Sequence, residues 1–80
     1  NKDLVEMDKY KHRKQVVSRL KPMANSNPQW EAFNNYIDIL IEDQHVAMEQ
    51  AEHPTIVYRC QGAVLALRRL KSLRDEINNG

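Results

Sequence analysis

Apolar residues recur at helical spacing along almost the whole chain, and prolines cut that pattern into three stretches. The clearest stretch begins at Pro28. Trp30, Phe33, Ile37, Leu40, Gln44, Ala47 and Ala51 follow one another at alternating steps of three and four, which is heptad spacing. Tyr36, Ile41 and Met48 widen the stripe into a face broad enough to cover more than one neighbour. The pattern predicts a helix over residues 28–51, roughly 36 Å long at 1.5 Å per residue. Ser26 or Asn27 supplies an N-cap, Pro28 suits the first turn, and Glu31 lies near the positive end of the helix dipole.

His53-Pro54-Thr55 breaks the pattern, and the connector is too short for anything but an antiparallel return. The next stripe is Ile56, Val57, Cys60, Val64, Leu67, Leu70 and Ile77, joined by Ala63, Leu65 and Leu73. It predicts a helix over residues 55–77, ended by Asn78-Asn79-Gly80. Ahead of the hairpin, residues 1–21 read as a basic helix from about Asp3 to Leu20. Asp3 is its cap, with Glu6 three residues later. The stripe here (Met7, Tyr10, Val17, Leu20, with Val16) is thin and interrupted by Arg13 and Lys14, so this helix is expected to be the least buried. Lys21-Pro22 ends it, and residues 23–28 form a polar connector. The expectation is an all-α chain: one domain over residues 1–80, built as a long antiparallel hairpin with an N-terminal helix beside it. Trp30, Phe33, Ile37, Leu40, Cys60, Val64, Leu67 and Leu70 are its expected core.

Eighty residues with 41% hydrophobic and 29% charged content fit a small folded domain rather than a disordered tail. No apolar run approaches the ~20 residues of a bilayer span, so no membrane partner is expected. The charged start, with no apolar stretch behind it, predicts no signal peptide. A single cysteine excludes an internal disulfide and suits a reducing compartment.

The net charge of +1 is unevenly spread. Residues 1–21 hold seven basic and three acidic residues. Residues 22–58 hold six acids and no Lys or Arg, and residues 59–80 hold five bases and two acids. An acidic middle helix between basic neighbours attracts both of them and helps fix their pairing. Lys9, Lys11, Arg13 and Lys14 crowd four fixed charges into six residues. That density suits contact with a phosphate backbone or another acidic partner, although a solvated helix carries it equally well.

Chemistry-bearing patterns are sparse. His12, His45, His53 and Cys60 show neither C-x-x-C nor H-x-x-x-H spacing, so no metal site is expected. Cys60 falls on the apolar stripe between Val57 and Val64 and reads as a buried thiol rather than a nucleophile. Two isolated glycines cannot form a phosphate-binding loop. Glu42-Asp43 and Asp75-Glu76 are sequence neighbours and do not face each other on a helix. No catalytic residue, cofactor or small-molecule substrate is expected, and the chain does not read as an enzyme. Gly62, inside a helix and flanked by Ala63 and Ala66, costs about 1 kcal/mol relative to alanine. Its expected benefit is close approach of another backbone.

Asn27-Pro28-Gln29-Trp30, Phe33 and Tyr36-Ile37 open the second helix. Tyr58-Arg59-Cys60-Gln61-Gly62 and Leu67-Arg68-Arg69-Leu70 mark the third. Over residues 27–77 this resembles small helical-hairpin proteins from the structural and packaging gene blocks of tailed bacteriophages. In those, an aromatic-opened helix precedes one with an Arg-x-x-Gly or Gln-Gly element and a leucine-rich end. The resemblance implies a virion or assembly role, in the host cytoplasm or the virion, with other virion proteins as partners. It assigns no catalytic residue, and the basic first helix lies outside its pattern.

The apolar face of the second helix is wider than one facing helix covers, so self-association is expected, with Tyr36, Ile39 and Ile41 at the contact. Two other readings remain at this point. The chain could be a phage-encoded inhibitor docking a helix face on a host protein, its acidic middle mimicking nucleic acid. Alternatively, it is a small DNA-binding protein that uses its basic first helix.

Overall fold

The computed structural model describes residues 2–79, with side chains from Val5 onward. Five helices follow in order: α1 (Lys2–Ser18), α2 (Lys21–Ala24), α3 (Asn27–Glu49), α4 (Pro54–Leu70) and α5 (Leu73–Asn79). No strand occurs among the described residues. The chain is all-α, and the packing of α3 against α4 is its main tertiary contact.

Prolines start the hairpin helices as their chemistry requires. Ser26 is the extended N-cap of α3 and His53 that of α4, each with proline in the first turn. Ring closure fixes φ near the helical value, and the missing N–H would have had no partner there anyway. Ile37, Cys60 and Val64 are buried between the two helices. Phe33, Leu40, Ile41, Met48, Val57 and Leu67 flank them half-buried. The Phe33 ring stacks on Trp30 at 5.5 Å between centroids. Lys71 pairs with Asp38 across the hairpin, the one such link between its acidic and basic helices among the described residues. Both side chains are substantially exposed, so the pair contributes at most about 1 kcal/mol.

Three expectations need correction. Pro22 does not simply stop the first helix. α1 ends at Ser18, and Pro22 lies in the first turn of a new short helix, α2. The expected polar connector thus holds Ala24, the most buried residue of the core. The last helix also breaks: Lys71 and Ser72 bond back to Arg68 and Arg69 in i→i−3 fashion, and Ser72 Oγ donates to the Arg69 carbonyl. Finally, the break leaves Leu70 42% exposed, outside the core to which its spacing assigned it, and Ile56 and Leu65 also face outward. The capping role expected of Asp3 falls on a side chain outside the described residues.

α5 packs on α2 and forms a second, smaller core in which Ala24 and Ile77 are buried. Arg74 organises it. Its Nε donates to the Ala24 carbonyl, its Nη2 donates to Asn27 Oδ1 at 3.0 Å, and its guanidinium lies 5.2 Å from the Trp30 ring centroid. Asn78 Nδ2 adds a bond to Asn25 Oδ1 at 3.0 Å. Charged hydrogen bonds and a partly desolvated cation–π contact are together worth a few kcal/mol. Arg74→Ala is therefore expected to lower unfolding stability by about 2 kcal/mol in a urea titration. Lysine should restore less than half, because it lacks the planar fork. A loss below about 0.5 kcal/mol would contradict this role.

The molecule is flat and open. Its Cα extents are 45 × 40 × 14 Å and its radius of gyration is 16.4 Å, against roughly 12 Å for a compact 80-residue domain. Among the described residues, α1 meets the rest of the fold through its C-terminal half, where Arg13 Nη2 bonds Glu76 Oε1 at 3.1 Å. It does not lie along the hairpin.

Candidate functional site

Ala32, Tyr36, Ile39, Asp43 and Val46 follow one another at steps of four, three, four and three on α3. This is a second heptad seam on the side of α3 away from the buried one, and all five residues are exposed. Tyr36 is 57% and Ile39 58% exposed. Ile41, expected with them, sits one turn beyond Ile37 and is half-buried on the hairpin side. The exposed seam therefore comprises Tyr36 and Ile39 with Ala32 and Val46, and Ile41 flanks the buried side instead.

α4 has its own outer stripe. Tyr58, Gly62, Leu65 and Arg69 recur at steps of four, three and four, and all are exposed. Tyr58 and Leu65 reach 70% and 64% exposure. A Cβ added to Gly62 would meet nothing within 4 Å. Among the described residues no backbone approaches there, so the close packing expected at this glycine does not occur within the chain. Within a single copy, Gly62→Ala is expected to stabilise the chain by about 0.5–1 kcal/mol through helix propensity. Urea unfolding of a dispersed variant checks it, and a loss of stability would contradict the open space.

The exposed area is large for the mass. A folded monomer of 9.4 kDa exposes roughly 5,000 Å², whereas this chain exposes 6467 Å². No large side chain is fully buried among the described residues. Two apolar stripes lie within that surplus, a larger exposed apolar area than folded monomers usually carry.

Lys9, Lys11, Arg13 and Lys14 are all exposed on α1. Arg13 is engaged with Glu76, and Lys9 lies 4.0 Å from Glu6. Arg13 and Lys14 also line a cleft of about 170 Å³ with Tyr10, Val17, Lys21 and Ile77. Of the five bases in residues 59–80, Arg74 is spent inside the fold, while Arg68 forms no ion pair among the described residues. Sequence reading missed the structural use of Arg74, because nothing local distinguishes it from the solvated arginines before it.

Cys60 is a buried free thiol in the hairpin seam. Glu42-x-x-His45 does place a carboxylate and an imidazole on one face, 3.8 Å apart. Two groups do not make a metal site, and no group of three His, Cys, Asp or Glu gathers among the described residues. Among the described residues, no helix is long and apolar enough to cross a membrane. No protein-family model, curated protein or solved structure matches this chain.

Proposed function

We propose that this chain is a non-enzymatic assembly protein that associates with copies of itself through the outer faces of its helical hairpin. The observation that carries the reading is the second heptad seam of α3, whose Tyr36 and Ile39 are more than half exposed. Heptad seams of this kind are filled by the side chains of another helix. The likeness of residues 27–77 to hairpin proteins of tailed phages supports a setting in virion assembly, with other virion proteins as further partners. In that setting the neighbouring genes encode capsid and packaging proteins, which reading the flanking sequence checks.

Salt separates this reading from nucleic-acid binding. An apolar contact holds as ionic strength rises, whereas phosphate contacts by Lys9, Lys11, Arg13 and Lys14 weaken steeply. Sedimentation at roughly 0.1 and 1 M salt, where screening lengths fall from ~10 to ~3 Å, is expected to show the same assembled species. Dissolution at high salt would contradict an apolar contact. A chain that stays monomeric and shifts only with added duplex DNA would favour the basic helix as the working surface. A monomer that ignores DNA would favour a helix-face inhibitor.

A further inference from the structure

The two outer stripes differ in sign, and that decides how copies meet. α3 carries Glu31, Asp38, Glu42, Asp43 and Glu49 and no Lys or Arg. α4 carries Arg59, Arg68 and Arg69 and no acid. Asp43 stands within the α3 stripe itself, between Ile39 and Val46, and Arg69 stands within the α4 stripe. Pairing α3 with α3 of another copy would set one acidic helix against its duplicate, and pairing α4 with α4 would oppose arginines. Like charges across a contact disfavour it, and opposite charges fix it.

We propose that copies of this chain join head to tail, the outer face of α3 on one copy seated on the outer face of α4 on the next. Tyr36, Ile39 and Val46 then meet Tyr58 and Leu65. The open space at Gly62 admits the approaching helix, which accounts for a glycine that nothing in its own chain requires. In a two-helix hairpin the outer faces of the two helices point in opposite directions, so each copy offers both a donor and an acceptor surface. Such a heterologous contact does not saturate in a dimer. It closes into a ring where the rotation between copies permits and otherwise runs on as an array. This deepens the self-association reading and rests on it.

Two blocked variants test the geometry. Ile39→Asp spoils the α3 face and leaves the α4 face; Leu65→Asp does the reverse. Each alone is expected to be monomeric by light scattering, near the 9.4 kDa of one chain. An equimolar mixture retains one good α3 face and one good α4 face. It should form a heterodimer of twice that mass and nothing larger. Assembly by Leu65→Asp alone, as by the wild type, would overturn the head-to-tail contact and show α3 meeting α3. A mixture that remains monomeric would overturn it as well. A wild-type chain that is itself monomeric at tens of micromolar would instead overturn the self-association reading. Circular dichroism confirms that each variant keeps its helix content. Should either aspartate reduce it, Ile39→Gln and Leu65→Gln carry the same test.

Discussion

Ile39→Asp is expected to disperse the assembly while leaving the helices intact. Ile39 is 58% exposed in the single chain, so a carboxylate there remains hydrated and costs the monomer little. In the assembled state the same carboxylate is taken out of water, beside Tyr36 and Val46. An uncompensated buried charge costs about 3–5 kcal/mol. That corresponds to a rise in Kd of roughly a hundredfold to a few thousandfold. Sedimentation across a concentration series reads this shift directly. An unchanged assembly would place the contact elsewhere on the surface.

Ile37→Ala carries the largest expected effect on folding. Ile37 lies two residues before Ile39 but on the opposite side of α3, only 3% exposed against Cys60 and Val64. Truncating a buried isoleucine removes its transfer free energy and leaves a cavity, typically about 2–5 kcal/mol together. A domain of this size is stable by roughly 4–12 kcal/mol, and one with so few buried side chains belongs at the low end. A substantial unfolded population is therefore expected at room temperature. Measured in the dispersed Ile39→Asp background, the loss reports folding alone. In the dispersed state, Ile39→Ala should change stability by no more than about 0.5 kcal/mol, as surface substitutions do. Similar losses at Ile37 and Ile39 would show that the two faces of α3 have been misassigned.

The hairpin is legible in the sequence because three independent signals agree. Pro28 and Pro54 start its helices, a broad heptad stripe sets α3, and a short connector forces the return. Tyr36 and Ile39 are legible as surplus by the same arithmetic, since residues one before and two after Ile37 point well away from it around the helix and cannot all face one neighbour. Ile41 is the instructive error. Counting residues as surplus does not say which of them leave the core, whereas their angle about the helix does: four residues after Ile37 is the same face.

The end of the chain is less legible. Leu67, Leu70 and Leu73 run through the break at Lys71-Ser72 without a proline or glycine to mark it. What bends the chain there is tertiary. Arg74 and Ile77 are drawn to Ala24, Asn27 and Trp30, about fifty residues earlier in sequence, and local propensity does not encode such partners. Pro22 was ambiguous in a different way, since proline closes one helix and opens the next with equal ease. The openness of the fold could not be read from composition at all. It emerges only when α1 is seen to meet α5 through Arg13 and Glu76 rather than to cover the hairpin.

Self-association through the hairpin is the claim on which the rest depends, and the mass of the wild-type chain in solution tests it most directly. Size-exclusion chromatography with light scattering at tens of micromolar should give a mass well above the 9.4 kDa of one chain, larger than a dimer if the contact is head to tail. A mass of one chain at that concentration would contradict the account.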